Sequence, residues 1–225
     1  MSDIAYRSLV FVHVLLFVLW LGGDVGVFVL GQHFRKRHLY SLDQRLALLK
    51  LLVAVDMGPR TAWALMVPLS LSVAVAGGWL NLPRFVVPLA WIVGSAWLWL
   101  VWDSHTHDQT PRVARNRRVE TWVKLAITAF YLWLGLASLA TGAPIILPWL
   151  AWKATLFGAI FVAAIMIDVS FKPVGKLLVA LIADGSSDET ELPLRRTMDR
   201  TRIWVLLVYL LLMAIAWLGV VKPDL

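Results

Sequence analysis

Three ionisable residues interrupt one of the most apolar stretches of the chain, HVLLFVLWLGGDVGVFVLGQHF, which begins at His13. Asp24 stands in its middle and His33 near its end. Ionisable side chains in an apolar span are costly, face the interior of a helix bundle and often take part in proton or ion transfer. A neutral imidazole among Val, Leu, Phe and Trp is also a natural axial ligand for haem iron, with Met or a second His opposite.

The composition explains why these residues stand out. Of the 225 residues 60% are hydrophobic and 13 are Trp, the mean hydropathy is +0.76, and soluble domains are about 45–50% apolar. Crossing a hydrocarbon core of about 30 Å takes about 20 helical residues. Six windows are long enough, and they predict an all-α integral membrane protein with six transmembrane helices: Leu9–Gly31, Thr61–Leu80, Phe85–Trp102, Val119–Thr141, Trp149–Phe171 and Ile203–Val221.

Basic residues indicate the orientation, because Lys and Arg are retained on the cytoplasmic side. The connections after the first, third and fifth windows hold most of them, whereas the opposite side has only Arg7, Arg84, Lys153 and Lys222. Both termini are therefore expected on the non-cytoplasmic side. The formal net charge of +7 then reflects topology and contact with anionic lipid head groups, and nucleic acid is not expected as a partner.

The chain has no cysteine, which excludes disulfides, thiolate metal sites and a cysteine nucleophile. It also contains no Gly-rich phosphate loop, G-x-S-x-G elbow or H-E-x-x-H pair. Any cofactor must be held by His, Met, carboxylates or packing. The sequence gives no support to the chemistry of soluble enzymes.

Depth can be estimated if the first two helices form a hairpin that turns near Leu39–Ser41. Asp24 and Asp56 then lie at similar depth, and Arg60 lies one turn beyond Asp56 on the same face. We expect an ion pair between Asp24 and Arg60 that fixes helix packing. The alternative is a direct role of these residues in proton transfer or substrate contact. On the same scale His13 is level with the region around Met66.

Several segments resemble the HemJ-type membrane protoporphyrinogen IX oxidases and, more diffusely, the CopD-type copper-resistance membrane proteins. HVLLFVLWLGG has their opening His-x6-Trp-x-x-Gly pattern, and VDMGPRTAW resembles their Met-x-Pro segment through Met57 and Pro59. WLAWKATLFGAIFVAAIMID resembles their third helix with an embedded lysine, here Lys153. LRRTMDRTRIWVLLVYLLLMAIAWLGVVKP resembles their last loop and helix. About two thirds of the chain follows this order of motifs.

The resemblance implies a four-helix-bundle core in a bacterial inner membrane, with Phe85–Thr141 as an inserted helical hairpin. It implies haem b bound through His13, with Lys153 near the site as a partner for a porphyrin carboxylate or for proton transfer. For the sixth ligand the motif favours Met57 and the depth estimate favours Met66. We choose Met66, because Met57 lies about 15 Å nearer the cytoplasm at about 1.5 Å per residue. The family's Asn-Glu-x-Pro motif is replaced here by MDRTR, with Asp199 and Arg200.

A second candidate site lies in the hairpin, where DSHTHD runs from Asp103 to Asp108. Two histidines, His105 and His107, are bracketed by carboxylates, and such N/O ligands suit Zn, Cu or Fe. The competing hypothesis is therefore a metal transport or handling protein with a cytoplasmic-face metal site and no haem. A solvated loop is the simpler explanation of the same residues.

The remaining cytoplasmic segments predict how the helices are connected. Ser41–Arg60 has a good N-cap and a helical pattern up to Gly58–Pro59, so the second helix is expected to be long and kinked. Residues 172–202 are expected to form a cytoplasmic loop that begins with a short amphipathic piece and includes a mobile stretch, Asp184–Leu192. We expect one membrane domain over residues 1–225, possible homo-oligomers, and redox chemistry on a porphyrin-like or quinone-like hydrophobic partner.

Overall fold

The computed structural model describes residues 2–107 and 110–224, in which all regular secondary structure is helical. Six helices are long and apolar enough to cross a membrane, the fifth of these spans being counted through α6. The predicted all-α fold with six membrane-spanning helices is confirmed. The elements are α1 (Asp3–Phe34), α2 (Leu42–Ala76), α3 (Val86–Thr106), α4 (Arg112–Thr141), α5 (Pro148–Phe171), α6 (Val174–Asp184) and α7 (Asp188–Val221).

The antiparallel helices α1 and α2 share the most extensive contact in the bundle. A Cβ atom added to Gly23 would come within 2.7 Å of the Pro59 ring, so only glycine allows this approach. One turn earlier, the Trp20 and Trp63 rings are stacked with centroids 5.9 Å apart. These two contacts fix the register of α1 against α2 and therefore the relative depth of every polar residue on them.

The second helix, Leu42–Ala76, is one continuous element, as expected of a long helix. Its N-terminus has a capping box, in which the Ser41 side chain accepts from the Gln44 backbone and the Gln44 side chain accepts from the Ser41 backbone. Pro59 and Pro68 both lie inside the helix. Each proline ring is met by a glycine of a neighbouring helix, Gly23 on α1 and Gly94 on α3. A larger side chain at either glycine would push the helices apart.

The predicted hairpin over Phe85–Thr141 is formed by α3 and α4, and it contributes to the same hydrophobic core as the other spans. Trp97 is 1% exposed and Leu134 is also 1% exposed. The backbone of α4 lies directly against α5, because Gly135 and Gly158 leave no room for a Cβ atom. Small residues permit such close approach of membrane helices.

An aromatic layer fills the middle of the bundle. We define it by side chains from five helices that are all buried and in contact with one another: Trp20, Trp63, Trp97, Tyr131, Phe157 and Phe161. The Trp63 centroid lies 4.8 Å from both Trp97 and Phe161. Edge-to-face and tilted contacts at such distances are favourable for aromatic pairs. The layer divides the bundle into an outer half, on the side of the N-terminus of α1, and an inner half, on the side of the turn between α1 and α2.

The segment 172–202 contains more helix than predicted. It consists of α6, which is the expected amphipathic piece, and the first turns of α7, which begin at Asp188. The Ser187 side chain caps this helix by accepting from the Thr190 backbone. The prediction of an unpacked loop over Asp184–Leu192 is therefore wrong from Asp188 onward, because a capped helix with a buried carboxylate occupies that stretch.

That carboxylate belongs to Glu191, which is 4% exposed. It accepts hydrogen bonds from both terminal nitrogens of Arg45, at 2.5 and 2.9 Å, and from the Ser186 hydroxyl at 2.6 Å. The Arg45 Nε donates in addition to the Phe34 carbonyl at 2.6 Å. This bidentate pair ties α7 to the hairpin of α1 and α2.

Replacement of Glu191 should destabilise the protein strongly. Glu191→Gln leaves the Arg45 guanidinium buried without its counter-charge, at a cost of about 3–5 kcal/mol, whereas the double variant Arg45→Met/Glu191→Met should recover much of the loss. The measurement is the thermal midpoint in detergent. The control is Asp188→Asn, which breaks the exposed pair with Arg37 and should cost less than about 1 kcal/mol. Equal losses for Glu191→Gln and Asp188→Asn would contradict the assignment.

Candidate functional site

His13 lies in the outer half of the bundle, on the face of α1 that also carries Trp20 and Asp24. Its side chain is half-buried, and its Nδ1 atom is buried without a hydrogen-bond partner among the described residues. Lys153, near the N-terminus of α5, lies in the same half of the bundle. A buried polar atom normally has a partner, so an unpartnered one requires an explanation.

Lys153 approaches the same region from α5. Its ammonium group lies against Gly219 of α7, where any Cβ atom would collide with it. In residues 2–107 and 110–224, Lys153 forms neither an ion pair nor a side-chain hydrogen bond. Nearby, the Lys222 ammonium lies 4.7 Å from the Trp79 ring centroid and 5.6 Å from that of Trp149.

Met66 is 4% exposed and belongs to the core on α2. The contact between Gly23 and Pro59 shows which residues of α1 and α2 lie at the same depth. Counting about ten residues outward from this contact along each helix places His13 opposite Leu69. Met66 is then about 4.5 Å from that level along the axis, whereas Met57 is about 18 Å from it. The geometry favours Met66 over Met57 as the nearer sulfur.

The expected pair between Asp24 and Arg60 is not formed. Arg60 Nε donates instead to Asp56 at 2.5 Å, one turn away on its own helix. Within the described part of the chain the Asp24 carboxylate has no ion-pair partner, although its backbone carbonyl accepts from the Tyr209 hydroxyl of α7 at 2.7 Å. The depth estimate placed Asp24 level with Asp56 and Arg60 one turn beyond them, but it did not determine which of the two carboxylates the guanidinium reaches.

Next to Asp56 and Arg60, three further charged residues line the inner half of the bundle. The Lys124 ammonium lies 2.9 Å from Glu120 and 2.8 Å from Asp168. It also lies 5.2 Å above the Trp63 ring. The Lys124 side chain is only 5% exposed, so its charge is compensated almost entirely by the protein.

Glu120 and Lys124 were not identified as candidate residues from the sequence. A signal existed in the window Val119–Thr141, whose segment VETWVKLAITAF holds a Glu and a Lys at positions i and i+4 in otherwise apolar surroundings. This spacing places both charges on one helix face. Asp168 comes from α5, more than forty residues away, and only the folded bundle brings it to Lys124.

We call these residues the inner charged layer: Asp24, Asp56, Arg60, Glu120, Lys124 and Asp168. It contains four carboxylates and two cations, so two negative charges are in excess when all six groups are ionised. Buried uncompensated charge is costly and is commonly neutralised by protonation. Such an arrangement can take up and release protons, which is a frequent role of ionisable residues in membrane spans.

The described part of DSHTHD, Asp103–His107, lies at the C-terminal end of α3, and its first carboxylate is already paired. Asp103 accepts from Arg112 at 2.8 Å and from Asn116 at 2.7 Å, and His107 Nδ1 lies 3.3 Å from it. The His105 ring instead contacts Trp102 edge-on. Asp108 lies outside the described residues. Among residues 2–107 and 110–224, no group of three or more His, Asp or Glu side chains is placed to hold a metal ion.

The pairing of Arg60 can be tested with double-mutant cycles. Asp56→Asn and Arg60→Gln should couple by about 0.5–1 kcal/mol, because the pair is partly exposed and a coupling measures direct contact. Asp24→Asn and Arg60→Gln should be closer to additive. Thermal midpoints of the single and double variants in detergent provide the measurement. If Asp24 couples to Arg60 more strongly than Asp56 does, the result would support the ion pair between Asp24 and Arg60 that was expected from the sequence.

Removal of the Lys124 charge should have a larger effect. Lys124→Gln leaves Glu120 and Asp168 without their shared counter-charge, and breaking a buried pair costs about 3–5 kcal/mol. The matched control is Lys50→Gln on the exposed face of α2, where we expect less than about 0.5 kcal/mol. The thermal midpoint is again the measurement. A Lys124→Gln variant as stable as the control would show that the inner charged layer is solvated.

No protein-family model, curated protein or solved structure matches the chain significantly.

Proposed function

We propose that this protein is a haem b-binding membrane redox protein, which holds the haem through His13 and exchanges electrons with a hydrophobic, quinone-like or porphyrin-like partner in the bilayer. The proposal rests on one observation, the buried Nδ1 atom of His13 that has no partner. An imidazole nitrogen in this state is free to accept a further bond, and coordination to iron is a common use of it.

The residues around His13 fit a haem group in two further respects. Lys153 and Lys222 would supply cations for the haem propionates. Trp79 and Trp149 would supply flat apolar surface beside Lys222. Met66, buried on the adjacent helix, is the sulfur nearest in depth and would serve as the second axial ligand. When bound, haem supplies one-electron chemistry at the ligated iron.

Access from the bilayer supports a hydrophobic partner. The outer half of α1 exposes a continuous apolar surface, with Phe11 at 67%, Val14 at 52% and Val18 at 57% exposure. These side chains flank the buried face that carries His13. A lipid-soluble molecule can therefore approach the His13 region from within the membrane without crossing the aromatic layer.

The inner charged layer supplies the second requirement of such a reaction, because the oxidation or reduction of quinones and porphyrinogens moves protons together with electrons. Asp24 is the carboxylate of this layer that lies on α1, on the same face as His13. Its lack of an ion-pair partner in the described chain suits it to hold a proton. Arg60 and Lys124 form ion pairs with the neighbouring carboxylates.

The test is an absorption spectrum of the purified protein, first oxidised and then reduced with dithionite. We expect the wild-type protein to show a Soret band. His13→Ala should lower the haem content at least about tenfold, because a ligand to the iron is lost. Met66→Leu should retain haem and shift the reduced spectrum. The control is His105→Ala/His107→Ala, which should leave the haem content unchanged.

The same variants distinguish the metal-handling alternative. A His13→Ala protein that is folded and keeps its full Soret band would contradict the haem assignment. A preparation that lacks haem but binds copper, zinc or iron, and loses that metal in the His105→Ala/His107→Ala variant, would favour a metal site at DSHTHD instead.

A further inference from the structure

A cavity of about 360 Å³ opens at the cytoplasmic end of the bundle, between the last turn of α1 and the first turns of α7. Its lining includes Arg35, Lys36 and Arg37 on one side and Arg195 and Arg202 on the other. Positions 191, 195, 199 and 202 are spaced by three or four residues, so they share one face of α7. The cavity is independent of His13 and of the inner charged layer.

The charges around the cavity do not balance. Glu191 lines the cavity, and Asp188 and Asp199 lie beside it as partners of lining arginines. All three carboxylates are already paired: Glu191 with Arg45, Asp188 with Arg37, and Asp199 with Arg35 and Arg202. The lining cations and Arg45 make six positive charges against these three negative ones, which leaves an excess of three. Lys36 and Arg195 have no ion-pair partner within residues 2–107 and 110–224.

Arg35 provides the second observation. Its side chain is only 10% exposed, and one of its terminal nitrogens pairs with Asp199. Its Nε atom, in contrast, is buried without a hydrogen-bond partner among the described residues. An arginine presents its donors in a fixed planar fork that matches the oxygens of carboxylates and phosphates. The buried Nε–H of this cavity-lining arginine is therefore a donor without an acceptor in the described chain.

The position of the cavity relative to the membrane indicates which anions can reach it. Arg202 directly precedes Ile203, where the last apolar window begins, and α6 with its amphipathic pattern adjoins α7. The cavity therefore lies at the level of the head groups of the cytoplasmic leaflet. Basic pockets between helices at this level are typical binding sites for phosphate-bearing head groups.

We propose that this cavity binds a phosphate group through Arg35, Lys36 and Arg195. The phosphate has two sources at this location, the head group of an anionic phospholipid and a soluble phosphate compound from the cytoplasm. Both present oxygens that accept from the Arg35 Nε–H and offset the excess positive charge. The binding requires no haem and holds whatever reaction the outer half of the bundle performs.

The experiment uses the full-length protein purified in neutral detergent and has two arms. In the soluble arm, inorganic phosphate and pyrophosphate are titrated calorimetrically. In the lipid arm, binding of phosphatidylglycerol is measured by native mass spectrometry against phosphatidylcholine. Binding in the lipid arm alone assigns a head group, and binding in the soluble arm alone assigns a free phosphate compound. No preference over phosphatidylcholine together with no calorimetric binding would overturn the proposal.

Variants with matched charge show whether the cavity itself is the site. Lys36→Gln/Arg195→Gln removes two lining cations that have no ion-pair partner in the described structure, so folding should be retained. Loss of two charge-assisted hydrogen bonds should weaken binding at least about tenfold. The control Arg196→Gln/Arg200→Gln removes the same charge from exposed positions of α7 outside the cavity, and it should weaken binding less than about twofold.

A third variant tests the unpartnered donor. Arg35→Lys keeps the positive charge and removes the Nε–H, and it should weaken binding about fivefold, because the planar donor geometry is lost. Its thermal midpoint shows whether the pair with Asp199 is preserved. Equal weakening by the cavity and control double variants would show that the protein attracts anions only through its overall charge, and it would overturn the proposal.

Discussion

The need to compensate charge inside a bilayer determines how the helices of this protein are held together. A charged side chain in hydrocarbon costs several kcal/mol unless another group neutralises it. Lys124 is neutralised by Glu120 of its own helix and by Asp168 of α5. Outside the spans, the buried Arg45 of α2 is neutralised in the same way by Glu191 of α7. The contact of Lys124 with Asp168 joins α4 to α5, and that of Arg45 with Glu191 joins α2 to α7. The apolar surfaces alone would not select these partners, because lipid tails are as apolar as the helix faces they would cover.

The charge compensation differs between the two halves of the bundle. In the inner half Arg60 and Lys124 both have carboxylate partners, whereas in the outer half His13 Nδ1 and Lys153 have none within the described chain. The aromatic layer lies between them. Paired charges are consistent with helix packing, and the groups without a partner among the described residues are the ones available to bind something else. The same distinction separates Arg45 from the Nε atom of Arg35 at the N-terminal end of α7.

Glycine and proline set the distance between the helices that carry these groups. Gly23 against Pro59 and Gly94 against Pro68 bring α1 and α3 close to α2. The contact at Gly23 lies one residue from Asp24 and one residue from Arg60 along the chain. Close packing at this point brings the inner ends of α1 and α2 together. Gly23 and Pro59 therefore have a packing role here.

The sequence by itself determined the six spans, the N-terminal cap at Ser41 and the long second helix, because each depends on local composition and on hydrogen bonds between residues a few positions apart. It also gave the approximate level of Asp24 relative to Arg60, since a short turn fixes the depth of an antiparallel pair. Only the tertiary structure decided that Arg60 binds Asp56, that Lys124 reaches Asp168, and that Glu191 is buried in a helix. These choices depend on side-chain direction and on contacts such as that of Arg45 with Glu191, whose partners are 146 residues apart in the chain. No local pattern encodes an acceptor at such a separation, and the composition of Asp184–Leu192 indicated a solvated loop for that reason.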